Sequence, residues 1–347
     1  MAKLNVLIAG CTGYIGIELV KLLIAHKRVN IKYLCGSTSV GKKISHFDKS
    51  IKGKLPKIIK FNKSKLRNVD IIFTALPNGE AQKISKHLFK HNTLIDIAAD
   101  FRLNANKYFK WYKQKHKAPN NIKKSIYSLP ELNNEDLKKY QIIACPGCYP
   151  TSILLPLKPL VKKKLIKINN IIIDSKSGYS GAGRGVHKKY SNKNLYESLS
   201  AYGLSNHRHN SEIENELNKS TTNKVKFDFT PHLSPMFRGI FTTIYIDLNK
   251  NINQGNIFKF LKSYYKNQPF IKIMKNTHLS TNDVIDTNFC HISICKSKNK
   301  NKLIILSTID NLIKGGSGQA IQNMNSKFNF PQKMGLLWEY WLYFYFV

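Results

Sequence analysis

The run Cys145-Pro146-Gly147-Cys148-Tyr149-Pro150-Thr151 places two thiols where an apolar, strand-like stretch, Ile142-Ile143-Ala144, gives way to an apolar helical one. A helix start gathers backbone N–H groups carrying partial positive charge, which favours thiolate over thiol. Cys148, nearer the helix, is therefore the candidate nucleophile. A Cys-x-x-Cys pair can also be half of a zinc site or a disulfide redox centre. The only second ligand pair for zinc would be Cys290 and Cys295 with His291, which have four residues between the thiols and lie in an alternating, strand-like run. A thioredoxin-like domain is short and built around its pair, whereas this pair falls near the middle of a long chain. No metal is expected. Acid/base chemistry has candidates in His207-Arg208-His209, just ahead of Glu212, Glu214 and Glu216. In an extended segment His207 and His209 point to the same side, one towards the thiol and the other towards substrate or solvent.

The elements that must hold these groups follow from the hydrophobic pattern. Residues 4–9 read as a buried parallel strand, followed by Gly10, Gly13 and Gly16 and an amphipathic helix over 14–25. Further strands are predicted at 31–35, 69–75, 93–97 and 142–144, with a helix-compatible stretch at 79–90. This alternation predicts an α/β fold with a doubly wound, Rossmann-like parallel sheet. After Cys148 come a helix and longer strand candidates at 170–175, 224–230, 241–248, 289–295 and 303–308. Strands closely following strands predict a mixed or antiparallel sheet, hence an α+β second domain. Residues 315–325 turn helical again and can return to the first domain. The domains are drawn at 1–147, completed by a C-terminal helix within about 313–347, and 148–312.

Three glycines between strand and helix let backbone N–H groups approach a pyrophosphate, with the helix N-terminus attracting the anion. Gly10, Thr12, Gly13, Tyr14, Ile15 and Gly16 are the candidate cradle. A site preferring NAD places an acid after the second strand to hold the ribose hydroxyls. No acid lies between Glu18 and Asp48; the strand instead ends in Gly36-Ser37-Thr38-Ser39-Val40-Gly41-Lys42-Lys43, whose hydroxyls and charge suit a 2'-phosphate. Ser37 and Ser39 are candidates for that contact, and NADP is the expected cofactor. A nicotinamide domain followed by an activated thiol limits the chemistry, since thiols serve hydride transfer by holding an acyl group as a thioester or an aldehyde as a thiohemiacetal. An aldehyde dehydrogenase or an acyl-phosphate reductase is implied.

Composition excludes less than it suggests. The 347 residues carry a net charge of +36, which ordinarily points to a polyanionic partner. Only six of the 56 basic residues are Arg, however, and the lysines are scattered. Phosphate and base readout favour Arg. Abundant Lys, Asn, Ile, Tyr and Phe are what A/T-rich codons supply, so no nucleic-acid partner is expected; a basic nucleic-acid-binding protein on a retained fold stands as the reading from a different class. Irregular cysteine spacing and the absence of a secretory pattern at the start predict a reducing, cytoplasmic setting. The aromatic end, 336–347, is too short for a membrane span, which needs about twenty apolar residues. It reads as a buried terminal segment or oligomer contact.

Several motifs in order resemble the N-acetyl-γ-glutamyl-phosphate reductase family: Gly10-Cys11-Thr12-Gly13-Tyr14-Ile15-Gly16, Ala99-Asp100-Phe101-Arg102-Leu103, Leu129-Pro130-Glu131-Leu132-Asn133 and Pro146-Gly147-Cys148-Tyr149-Pro150-Thr151. So do Ser177-Gly178-Tyr179-Ser180-Gly181-Ala182-Gly183-Arg184, Ala201-Tyr202-Gly203 with His207-Arg208-His209, Thr230-Pro231-His232-Leu233, and Asp310-Asn311-Leu312-Ile313-Lys314-Gly315. The resemblance runs from about residue 4 to about residue 335. It implies a semialdehyde dehydrogenase or glyceraldehyde-3-phosphate dehydrogenase-like architecture, with an α+β catalytic and dimerisation domain. It also implies reduction of N-acetyl-L-glutamyl 5-phosphate by NADPH, through a Cys148 thioester, in arginine biosynthesis. The partners implied are this acyl phosphate, inorganic phosphate and further copies of the chain in a homodimer or homotetramer. His209 is the implied acid/base, with His207 as substitute. Ser177, Gly178 and Asn311 join the cofactor set, and Arg102, Arg184, Tyr202 and Arg208 form the substrate set. Aspartate-semialdehyde dehydrogenase shares the same logic but is set apart by the Gly-Ala-Gly-Arg and His-Arg-His motifs.

Two features are this chain's own. Arg102, Arg184 and Arg208 fall inside the motifs and Arg238 follows closely on Thr230-Pro231-His232-Leu233, as expected where a planar fork is required for carboxylate or phosphate; Arg28 and Arg67 lie outside and read as surface. The family usually has Asn where this chain has Cys145, which raises the expectation of a reversible Cys145–Cys148 disulfide.

Overall fold

Strand β1 (Leu4–Ala9) is buried along Val6–Ala9, as a central strand covered on both faces must be. The computed structural model describes residues 3–185, 197–275 and 278–337. The chain divides into a first unit, 1–145 with 316–347, and a second, 146–315. In the first, β2 (Val29–Cys35), β3 (Ile58–Ile59), β4 (Ile71–Thr74), β5 (Thr93–Asp96), β6 (Ser125–Tyr127) and β7 (Ile142–Ala144) join β1 in the order β3-β2-β1-β4-β5-β7-β6. Every pairing in it is parallel. The strand order reverses between β1 and β4, so the crevice outside their C-terminal ends is where a doubly wound sheet takes its ligand.

The long strands lie where periodicity puts them, within three residues at their ends except Phe227–Ser234, expected over 224–230 and found four residues further on at its C-terminal end. The helix expected over 79–90 is only Glu80–Ser85. Its first turn is tied to Asp100, which accepts from the N–H groups of Gly79 (2.6 Å) and Gln82 (3.2 Å) and from the Tyr108 hydroxyl (3.1 Å). The returning helix, Gly318–Lys327, completes the first unit with a polar surface that is wholly enclosed: Gln319, Gln322, Asn323 and Asn325 have no exposure. Gln322, Asn323 and Asn325 find partners there. Asn323 accepts from the Ser128 hydroxyl (2.7 Å) and donates to the Ser128 carbonyl (3.0 Å), Gln322 donates to Glu131 (2.9 Å), and Asn325 meets His26 (2.9 Å). Buried polar groups left without such bonds would destabilise the fold by about 1–3 kcal/mol each.

The second unit is a mixed sheet of β8 (Ile171–Gly178), β9 (Ser200–Ala201), β10 (Phe227–Ser234), β11 (Ile240–Asp247), β12 (Ile271–Met274), β13 (Cys290–Lys296) and β14 (Lys302–Ile309), in the order β12-β13-β14-β11-β8-β10-β9. Helices Cys148–Lys162 and Gln254–Tyr264 pack on it. Among the outward residues, Ile172 and Tyr245 are 42% and 41% exposed. Pro156 and Pro159 lie inside the helix Cys148–Lys162. A proline there removes the N–H that would bond the carbonyl four residues back. For Pro159 that carbonyl belongs to Leu155, and the Tyr265 hydroxyl donates to it instead (2.5 Å).

Candidate active site

In the first unit the turn after β1 packs so closely that glycine is required at two of its positions. Gly10 has φ +85°, and a Cβ on it would stand 2.2 Å from the Ala75 carbonyl oxygen; one on Gly16 would stand 2.2 Å from the Gly10 oxygen. Packing therefore requires those two glycines. Gly13 is different. Its φ is −68°, and a Cβ there would meet nothing nearer than 3.6 Å. The protein has no need of glycine at this helix N-cap, whereas an anion approaching the first turn does. Thr12, Gly13, Tyr14 and Ile15 are partly exposed around it. At the end of β2, Ser37 is exposed and Ser39 is 5% exposed. No carboxylate follows the strand before Asp48, so the residues present suit NADP.

In the second unit Cys148 is the first residue of its helix, with Gly147 as N-cap, and is partly exposed. Two glycines make room around it. A Cβ on Gly315 would stand 2.6 Å from Cys148 Cβ, and one on Gly147 would stand 2.4 Å from His209 Nε2. The His209 imidazole thus occupies the space over the residue preceding Cys148. Glu212, one helical turn beyond His209, is fully buried; one carboxylate oxygen accepts the Gly147 N–H (3.0 Å) and the other lies 3.8 Å from His209 Nε2. Gly147, His209 and Glu212 form one connected group in which a proton held on the imidazole has a carboxylate beside it. Sequence reasoning named the Pro-Gly-Cys and the histidines but gave Glu212 and Gly315 no role; the i, i+3 spacing from His209 was the available signal for Glu212.

The histidine segment is not extended. His209 opens the helix His209–Asn218, and Arg208 already has helical φ and ψ. The two imidazoles still meet, with ring centroids 4.8 Å apart, because His207 folds back over the first turn. Its Nδ1 accepts the His209 N–H (3.2 Å), and burial pushes its pKa down to about 4, with Arg208 adding to the shift. Tyr149, next to Cys148, packs edgewise on both histidines and on Phe229. Its hydroxyl donates to the His232 carbonyl (3.0 Å) and accepts from the Tyr202 hydroxyl (3.3 Å).

Ser177, Gly178 and Asn311 come together in this same unit. Asn311 accepts the Gly239 N–H (2.7 Å) and donates to the Ser180 hydroxyl (2.9 Å), clamping the turn that follows Gly178 against 236–239. A Cβ on Gly178 would stand 2.6 Å from the Phe237 oxygen. The arginines divide. Arg184 and Arg208 are exposed, as is Tyr202 at 37%. Arg102, in the first unit, is 9% exposed and donates to the Ile97 carbonyl (2.6 Å). Arg238 pairs through Nη1 with both Asp286 and Asp310. Arg28 is not a plain surface residue: it is partly buried, 5.1 Å over the Phe330 ring.

Cys145 differs from the expectation of a redox partner. Its thiol is fully buried, burial pushes its pKa up to about 12, and Asn323 donates to its sulfur (3.6 Å). A thiol so placed is a poor nucleophile for disulfide formation, and no disulfide joins Cys145 and Cys148. Of the aromatic end, Trp338 to Val347 lie outside the described residues. Among the described residues no helix is long and apolar enough to cross a membrane.

Comparison with known proteins agrees with this architecture. Residues 5–140 match the semialdehyde dehydrogenase NAD-binding domain, and 148–311 match the semialdehyde dehydrogenase dimerisation domain. A Thermoanaerobacter pseudethanolicus protein named N-acetyl-γ-glutamyl-phosphate reductase is 41% identical over 335 residues, 95% of this chain and 96% of that one. An Ehrlichia canis protein of the same name is 38% identical over 337 residues, 96% of this chain and 97% of that one. A rice protein named as a probable chloroplastic form is 37% identical, covering 97% of this chain and 82% of its own. Among solved structures, aspartate semialdehyde dehydrogenase II of Vibrio cholerae, complexed with ASA, superposes with TM-score 0.71 at 16% identity, over 95% of this chain and 99% of that one. The Candida albicans aspartate semialdehyde dehydrogenase with NADP gives 0.67 at 17% identity, over 94% and 99%. At these identities the structural likeness speaks to the fold.

Proposed function

The chain belongs to the N-acetyl-γ-glutamyl-phosphate reductase family, and from that premise we propose that it reduces N-acetyl-L-glutamyl 5-phosphate to N-acetyl-L-glutamate 5-semialdehyde and phosphate, using NADPH, in arginine biosynthesis. The observation that carries the reading is the His209 imidazole seated over Gly147 beside a cysteine at a helix start. His209 takes the Cys148 proton, and the thiolate attacks the acyl carbon. Phosphate leaves as the C–O bond breaks, and a thioester remains. NADPH, when bound, supplies the hydride that converts this acyl carbon to the aldehyde level. His209 returns its proton to the oxygen developing there, and collapse of the thiohemiacetal expels Cys148 and frees the semialdehyde.

Gly10, Thr12, Gly13, Tyr14, Ile15 and Gly16 hold the pyrophosphate. Ser37, the exposed serine after β2, is better placed for the 2'-phosphate than Ser39. Ser177, Gly178 and Asn311 complete the cofactor set, Asn311 by fixing the turn beyond Gly178. Arg184, Arg208 and Tyr202, being exposed, are assigned to substrate; Arg102 acts chiefly as an internal tie within its unit. The test is NADPH oxidation with N-acetylglutamyl phosphate, with aspartyl phosphate run in parallel. Cys148→Ala is expected to lower kcat by on the order of a thousandfold or more. Turnover of aspartyl phosphate in preference would reassign the substrate.

Assembly follows the dimerisation-domain match. We place a second copy on the outward sheet face carrying Ile172 and Tyr245, giving a homodimer or a tetramer built from it. Sedimentation of Ile172→Asp is expected to show a smaller species than wild type; an unchanged mass would exclude this face.

A further inference from the structure

We propose that His207 is a positioning residue, not a second acid/base: as a neutral imidazole it accepts the His209 N–H at Nδ1, starts the helix that follows, and so aims the His209 ring at Gly147. The inference rests on the Cys148–His209 reading above and assigns the two histidines separate tasks.

Three observations support it. The first is the bond itself, from the His209 N–H to His207 Nδ1 at 3.2 Å. The opening N–H groups of a helix have no partner within it, and a side-chain acceptor supplied from just upstream fixes where the helix begins. Arg208 provides no side-chain cap here, so His207 fills that place. The second is enclosure. Edgewise aromatic contacts surround the His207 ring, with centroids at 5.4 Å to Tyr202, 5.6 Å to Tyr149 and 5.6 Å to Phe229. Gly203, at φ +60°, closes the side: a Cβ there would stand 3.3 Å from His207 Cβ. The third is charge. Arg208 is the adjacent charged group, and the rings packed on His207 are Tyr149, Tyr202, His209 and Phe229, none of them a carboxylate. Burial and Arg208 both disfavour protonation, which would also cost the acceptor at Nδ1.

Asparagine distinguishes a positioning role from proton transfer, because its Oδ1 can accept the N–H two residues on but cannot titrate. Steady-state kinetics of His207→Ala, His207→Asn and His209→Ala would be compared across pH, beside imidazole ¹⁵N NMR of the wild type. We expect His207→Ala to lose about 10- to 100-fold in kcat, as misplacement of a reacting group does. His207→Asn should recover most of that loss and keep the wild-type pH profile, and NMR should show a neutral His207 with an acceptor Nδ1 throughout the neutral range. His207→Asn as inactive as His209→Ala, or a His207 ring that titrates near neutrality, would overturn the proposal. The NMR measurement stands even where a variant fails to fold. Full activity in His209→Ala would instead refute the acid/base assignment on which the inference rests.

Discussion

Replacing Gly147 by Ala adds one methyl group under the His209 ring, at the residue before Cys148. The backbone there, φ −67° and ψ 160°, is ordinary for alanine, so the change carries no conformational strain. The Gly147 N–H also remains to bond Glu212. What changes is space: the new Cβ would lie 2.4 Å from His209 Nε2 and 2.8 Å from its two neighbouring ring carbons. Since ordinary contacts begin near 3.4 Å, the ring must retreat by about 1 Å. A misplacement of that size at a reacting group costs roughly 10²-fold in rate, while overpacking of this kind lowers stability by about 1–3 kcal/mol. The expected outcome is a folded enzyme with kcat about a hundredfold down and KM for NADPH little altered. Initial rates from the absorbance of reduced nicotinamide, with a thermal melt on the same preparation, check both parts. A folded Gly147→Ala protein with kcat within about threefold of wild type would refute the assignment of His209, because the ring could not have kept its place.

The cradle glycines should separate in the same way. Gly13→Ala is expected to raise KM for NADPH by about tenfold or more without lowering the melting temperature, whereas Gly16→Ala lowers the melting temperature itself, its Cβ clashing with the Gly10 oxygen; nucleotide titration and melts of both variants check this. Among the thiols, brief treatment with iodoacetamide at neutral pH should modify Cys148 and leave Cys145 untouched in the folded protein, as peptide mass spectrometry would show, because burial holds the Cys145 thiol at about 12.

The parts legible in the sequence are those where one short segment contains its own reason. The strand Leu4–Ala9, the three glycines and the helix after them show both the change of period and the turn chemistry. Pro-Gly-Cys likewise announces a helix start. Strands β3, β6 and β9, of two or three residues, have no period to detect and exist because a neighbouring strand offers bonds. The helix at His209 was hidden by polar residues; only Ile213 and Leu217, four apart and both fully buried, carry its inward stripe. Other features join residues too far apart to be read together. Nothing near Arg28 indicates Phe330, and nothing near Cys145 indicates Asn323, whose amide donates to the buried thiol.

The first unit is written in two pieces, with the entire second unit between them. Synthesis runs from the N-terminus, and domains generally fold as units while it proceeds. The inserted unit therefore has all its residues at 315, when the surrounding one still lacks Gly318–Lys327. Until that helix emerges, Ser128, Glu131 and His26 have no Asn323, Gln322 or Asn325 to bond. The same polar side chains that fill those places keep the arriving helix soluble before it docks. The helix Gly318–Lys327 thus acts as a keystone: a chain released early, at residue 317, holds every residue of the unit that carries Cys148 yet leaves the nucleotide-binding unit open, a product that cellular proteolysis is suited to remove.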